Sequence, residues 1–363
     1  MNSPRVISVS LGIIVGLVVI VALVVAAARL LRKLRLTRVA SIVEPLRADL
    51  IRLASADDDG VDIVDSFVGL AAREWRAIRP HLIDLCRKVD RDSAGPLRSV
   101  LIERGVLTQA IRDTRRRSSI RRARAAMVLE LFPTMESRAA LIGLLHDRDA
   151  DVRRMAVRGV GMVGDAACVP HVIALLHGPR RVAPTSVGHS LILLGSIAVD
   201  DLVATVQAHP DEQVVECCVE VLGHVGDPRA VPCLISALAS SGPDSCGVRV
   251  VAARALGSLG SPQAISALVE GLKDGEAALT VACIDALVKI GAAAAVPHIT
   301  ATLCSVDRPV AAAAAGALTR FGDLGIEALG SDDVADDPSV IEALGRLSVR
   351  ERHGLRTRVR VGA

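Results

Sequence analysis

Seven arginines and one aspartate fall within thirteen positions, RDTRRRSSIRRAR at 112–124. A guanidinium is permanently charged, planar and rich in donors, so such a run suits a carboxylate, a phosphate or an anionic lipid headgroup. The residues that would carry this chemistry are Arg112, Arg115, Arg116, Arg117, Arg121, Arg122 and Arg124. The plainer alternative is a solvated helix and turn, because charge runs usually face water. Nucleic acid is not the expected partner. Single strands are held on interleaved aromatic platforms, and the chain has three Phe, one Trp and no Tyr, with a net charge of only +3. Ser118 and Ser119 lie inside the run, in a basic context that suits kinases.

Other reactive groups are scattered. The eight cysteines, at 86, 168, 217, 218, 233, 246, 283 and 304, include no C-x-x-C pair and no zinc-finger spacing. They read as free thiols in a reducing compartment. Cys217 and Cys218 are adjacent on a helix, where side chains diverge. His171 and His298 share one position of the repeat described below but stand several copies apart, about 40 Å at ordinary helix spacing. They cannot share a metal whose bonds to histidine are about 2 Å. No Gly-rich phosphate loop, Ser-His-Asp order or clustered carboxylates appear. The expected catalytic, cofactor-binding and metal-binding residues are therefore none, and no cofactor is expected.

Positioning elements come next. Residues 6–28, VISVSLGIIVGLVVIVALVVAAA, carry no charge between Arg5 and Arg29. At 1.5 Å per residue this run spans about 34 Å, enough to cross a bilayer. It is long for the apolar part of a cleaved signal peptide, despite Ala26-Ala27-Ala28. Arg29, Arg32, Lys33, Arg35 and Arg38 follow it, so the positive-inside rule places the rest of the chain in the cytoplasm. The expectation is a single-pass signal-anchor in the cell membrane. Ser8, Gly12 and Gly16 put small residues on one face, which would permit a homodimer through the membrane helix.

Beyond residue 120 a repeat takes over. Gly164, Gly195, Gly226, Gly260, Gly291 and Gly322 are spaced by 31, 31, 34, 31 and 31, the longer step coming from the loop SSGPDS at 240–245. Twelve, eight, four and one residues before each glycine lies an apolar or small residue, such as Val152, Ala156, Val160 and Val163. Those steps draw one stripe down a helix, and the small residue at −8 is expected where helices cross closely. Each glycine is expected to supply a left-handed C-cap. Asp165, Ser196, Asp227, Ser261 and Asp323 follow as expected N-caps of a second helix, with Pro228 and Pro262 in its first turn. A 31-residue hairpin cannot bury both stripes alone, so copies must stack into a solenoid.

DADVRRMAVRGVGMVGDAACVPHVIALL (149–176) and GVRVVAARALGSLGSPQAISALVEGLKD (247–274) resemble HEAT repeats of the phycobilisome-lyase-like type. Arg153 and Arg249 match that pattern's arginine, whereas Val215 and Thr280 depart from it. The resemblance covers about seven units. It implies an all-α fold, a right-handed superhelix of helical hairpins, and a surface that binds partner proteins. The layout also resembles bacterial proteins with one N-terminal membrane helix and a cytosolic HEAT array, some of which accompany membrane glycosyltransferases. A membrane or cell-envelope enzyme complex is the implied partner. The rival implication is a HEAT-type enzyme related to bilin lyases, which attach a tetrapyrrole, or to deoxyhypusine hydroxylase. The latter holds a di-iron centre through His-Glu dipeptides, and this chain contains none.

The expected organisation is an outer N-terminus at 1–5, the anchor at 6–28, a basic juxtamembrane segment and helical adaptor at 29–119, the array at 120–338, and a cap with a basic tail at 339–363. In the adaptor Pro45 opens one helix, 61–89 holds one or two more, and Gly95-Pro96 starts the next. Trp75, the single indole, reads as core filler there. The function expected is a membrane-anchored scaffold.

Overall fold

The computed structural model describes residues 41–54, 61–90, 93–240 and 245–330, with isolated positions between 20 and 33 and between 338 and 345. Among the described residues every regular element is helical. The chain divides into two compact units at Asp113/Thr114. The Arg115–Arg117 turn is therefore part of the second unit, ahead of the expected start of the array.

In the first unit α1 (Arg47–Ala54) is entered through a 3-10 turn at Glu44–Leu46. It is followed by α2 (Val61–Val68), α3 (Ala72–Lys88), α4 (Gly95–Glu103) and α5 (Val106–Asp113). Pro45 and Pro96 occupy first turns, where the missing amide costs no hydrogen bond. Leu53, Phe67, Ile78, Leu82, Leu97 and Leu101 are fully buried. Trp75 is not core filler. It is half-buried, and the Arg104 guanidinium lies over its ring at 4.6 Å from the centroid. Arg104 is fixed there by donating to the Leu70 carbonyl at 2.6 Å, so one face of the indole is covered by a cation.

The second unit contains seven helical hairpins among the described residues. They are α6 (Ser119–Leu129) with α7 (Met135–Leu145), α8 (Ala150–Val163) with α9 (Val169–Ile173), and α10 (Pro184–Leu194) with α11 (Val199–Ala208). The fourth is α12 (Glu212–Val225) with α13 (Val231–Leu238), and the fifth α14 (Cys246–Leu259) with α15 (Ile265–Gly271). The last two are α16 (Ala277–Ile290) with α17 (Val296–Ala301), and α18 (Arg308–Leu318) with α19 (Asp323–Leu329). The periodic stripe is the core. Ala156, Val187, Cys218, Ala252, Cys283 and Ala314, eight before each glycine, have no exposed surface, nor do Val160, Leu191, Leu222, Leu256, Leu287 and Leu318 four before it. Each such leucine contributes about 1.5–3 kcal/mol by leaving water. Ala183 departs, being exposed.

Successive first helices also approach closely at a position the stripe does not mark. A Cβ on Gly223 would stand 2.6 Å from the Ala255 Cβ, and one on Gly257 would stand 2.6 Å from the Ala286 Cα. These glycines lie three before the capping glycine, and each faces the residue five before it in the next hairpin. The −8 residues are buried as well, and Cys283 lies close against Gly271 of the preceding hairpin, where a Cβ would stand 2.7 Å from its sulfur. At the equivalent Gly161 contact Ser190 lies alongside, its buried hydroxyl donating to the Val157 carbonyl at 2.7 Å.

Four of the expected left-handed C-caps form, at Gly164, Gly226, Gly260 and Gly291. Gly195 and Gly322 instead take φ 63 and ψ −140, a region open essentially to glycine alone. There the chain enters the next helix at once, so Ser196 and Asp323 lie within the helical turn and cap nothing. Asp165 and Asp227 do cap, accepting from the Ala167 and Arg229 amides at 2.9 Å, whereas Ser261 makes no capping bond.

Candidate interaction site

The arginine run opens the first hairpin, and one of its members organises the others. Arg122 leans back across the turn. Its Nη1 donates to the carbonyls of Arg116 and Arg117 at 3.0 and 2.8 Å. Its Nε and Nη2 donate to the two Asp147 oxygens at 2.6 and 2.8 Å, a bidentate pair with side chains 16% and 9% exposed. That hydrogen bond from Arg122 is the main reason Asp147 titrates below the usual carboxylate range, against the opposing effect of burial. Arg122 is thus committed inside the protein and drops out of the anionic-partner patch. Arg115, Arg116, Arg117, Arg121 and Arg124 are exposed around it. Arg112 is also exposed, at the end of α5 in the first unit. Helix α6 starts without a side-chain cap at Ser118 and without an acidic residue in its first turn. Its positive end therefore carries added positive charge, the arrangement that an anion relieves.

The Arg122–Asp147 pair recurs. In the fifth hairpin Arg249 holds Asp274 bidentately at 3.0 and 2.6 Å, and its Nε donates to the Leu238 carbonyl of the preceding hairpin at 3.1 Å. Both pairs are separated by 25 residues, eleven before the capping position and fourteen after it. Arg153 occupies the same place in the second hairpin. Gly178 stands opposite, and Arg153 donates instead to the carbonyls of Asp147 and Arg148 at 2.9 and 3.1 Å. In the fourth hairpin the positions hold Val215 and Ser240, and a groove of about 350 Å³ opens where the pair would be. The sequence carried the signal for this clamp, since arginine and aspartate recur together 25 apart. It showed only once the hairpin geometry brought a helix start against the end of its partner.

The remaining candidates stay apart. Cys168, Cys217, Cys218 and Cys283 are buried and free, and burial raises their thiols to about 11, 11, 12 and 12 respectively. These are core residues in unreactive form. Cys304 is free and exposed. His171 meets His146 edge-on with ring centroids 6.4 Å apart. Among the described residues no three His, Cys, Asp or Glu are placed to hold a metal ion.

Of the expected membrane helix, Ser8, Gly12 and Gly16 lie outside the described residues. Ile20, Leu23, Val24 and Val25 are described, and are helical and 44–64% exposed. Among the described residues one helical stretch, Pro184–Ala208, is long and apolar enough to cross a membrane, with 25 residues and a mean hydropathy of 1.7. It is the third hairpin, interrupted at Gly195, with Val187, Leu191, Val199 and Leu202 buried.

A family model for HEAT repeats matches residues 106–192 and 242–319. The uncharacterized phycocyanin operon protein Z of Pseudanabaena tenuis is 29% identical over 153 residues, 42% of this chain and 62% of its own length. The chain thus spans less than two thirds of that curated relative. Two solved structures are also similar. The complex of CpcE and CpcF of phycocyanin lyase from Nostoc is 25% identical with a TM-score of 0.38, over 42% of this chain and 99% of that one. Human deoxyhypusine hydroxylase is 24% identical with a TM-score of 0.30, over 71% and 100%. Residues 106–192 and 242–319 thus match HEAT repeats, and 42% of the chain is similar to a phycocyanin operon protein.

Proposed function

We propose that the protein is a membrane-anchored scaffold whose HEAT array binds a partner protein, and that it acts by binding rather than by catalysis. The array carries the reading. Each first helix buries its stripe, with Leu222, Leu256 and Leu287 fully covered, so the seven hairpins form one continuous stack. The second helices keep polar positions such as His171, Asp201 and Ser236 half or fully exposed along it. A stack of that kind offers an extended surface and has little depth for an enclosed site. Support for the anchor is the uncharged stretch 6–28 with basic residues after it, and the exposed apolar helix at Ile20 and Leu23–Val25. A tether confines the array to the membrane surface and raises its effective concentration near membrane partners, such as an envelope enzyme complex.

Two measurements test this. After a carbonate wash the full chain is expected in the membrane pellet, and recovery in the supernatant would overturn the anchor. Proximity labelling from the array in the membrane fraction is expected to mark a reproducible partner that a scrambled second-helix surface loses.

A second reading, a HEAT-type lyase or hydroxylase, is favoured by the 29% identity to the phycocyanin operon protein. Visible absorbance or stoichiometric iron in the purified chain would shift the assignment to it.

A further inference from the structure

The fourth hairpin lacks the clamp that the first and fifth carry, and what surrounds the gap has one electrostatic sign. The groove at Val215 and Ser240 is lined also by Glu212, Ser236 and Ser245. Among the described residues no Lys or Arg pairs with Glu212, and no basic side chain lines the groove. Its far wall is the end of α11, at Val206 and Gln207. The last turn there leaves acceptors open. The His209 amide closes on the Thr205 carbonyl, but residue 210 is proline and has no amide for Val206. The Asp211 amide donates to His209 Nδ1 at 3.1 Å instead of to Gln207. Val206 and Gln207, whose carbonyls have no i+4 amide at the negative end of the α11 dipole, therefore line a groove together with Glu212, Ser236, Ser240 and Ser245. In the repeat register Gln207 corresponds to Leu238, the residue whose carbonyl accepts from Arg249 one hairpin later. The surroundings agree in sign: residues 182–246 contain one arginine against eight acidic residues, whereas 114–181 contain thirteen arginines against six.

We propose that this groove receives an arginine side chain from a basic segment of a partner protein, completing between two proteins the clamp that the first and fifth hairpins make within themselves. This rests on the protein-binding reading above and names the chemistry of the partner. The acceptors are spread over several walls, which suits the five donors of a planar guanidinium better than the compact point charge of lysine. Val206, Val215, Cys233 and Val248 line the remainder and cover the aliphatic stem. Hairpins of the same fold that do carry arginine at this place point it at the same kind of carbonyl and carboxylate.

The test uses the full chain and a fluorescein-labelled arginine octamer, read by anisotropy at physiological salt, with a lysine octamer in parallel. The double substitution Val215→Arg with Ser240→Asp restores the clamp within the chain, fills the groove and leaves net charge unchanged. The expected result is arginine-octamer binding weakened about tenfold or more by this pair and by Glu212→Gln, with the melting temperature of the pair not lowered. Wild-type protein is expected to favour the arginine octamer over the lysine octamer. Unchanged binding in the double variant, or equal binding of the two octamers, overturns the proposal. Should the double variant fail to fold, Glu212→Gln combined with Ser236→Ala decides: retained affinity overturns it and lost affinity supports it. Proximity labelling that marks the same partners in wild type and in a folded double variant would overturn the groove while leaving the scaffold reading intact.

Discussion

Arg122 and Arg115 stand seven residues apart in one basic run, yet they do different work. Arg122 is held by two carbonyls and both oxygens of Asp147, whereas Arg115 faces water. Arg122→Gln should leave Asp147 without its counter-charge and cost about 1–3 kcal/mol at neutral pH. The pH dependence has a definite sign. Asp147 is depressed in the folded protein, so its contribution is present above the unfolded value near 4 and is lost as pH falls through the folded one. Urea midpoints from pH 7 down to about 3 should therefore fall less steeply in Arg122→Gln than in wild type; parallel curves would exclude the clamp. The cysteines provide a second test at this scale. Iodoacetamide at pH 8 should modify Cys304 in the native protein and spare Cys218 and Cys283, both raised to about 12 by burial, as peptide mass spectrometry would show.

At the scale of elements, the contact between successive first helices decides how the hairpins lean on one another. Gly223 and Gly257 let two backbones meet where any side chain would collide with Ala255 or Ala286. Gly223→Val should therefore destabilise by about 1–3 kcal/mol. Gly143→Ala, within α7 and with nothing within 4 Å, should be neutral or stabilise by about 0.5–1 kcal/mol. Thermal melts of the two variants, shifted in opposite directions or at least clearly apart, would bear this out; equal shifts would refute the packing account. The stripe at −8 and −4 was legible because it repeats a single chemical property at helical steps. The −3 glycines were not, because a glycine in a helix reads only as a weak position until a neighbouring helix is laid against it. The caps show the same limit: Asp165 and Asp227 cap as their type suggests, while Asp323 does not, because the backbone at Gly322 leaves no free turn before α19.

On the scale of the whole molecule, a hairpin is a part without independent stability. A synthetic peptide covering 211–239 should be largely unstructured by circular dichroism, although the same residues are helical in the chain, because Leu222 and Cys218 would lose the neighbours that cover them. A strongly helical peptide would contradict the stacking argument. The sequence by itself determined that its repeating part is a run of seven helix pairs, and that one uncharged stretch precedes them. These follow from periodicity and turn chemistry, which act between residues close in the chain. Tertiary structure alone decided which arginine is clamped and which exposed, that Trp75 sits beneath Arg104, and that Val215 and Ser240 face an open groove. Each depends on side chains from separate helices meeting at a few ångströms, a relation that spacing along the chain does not encode.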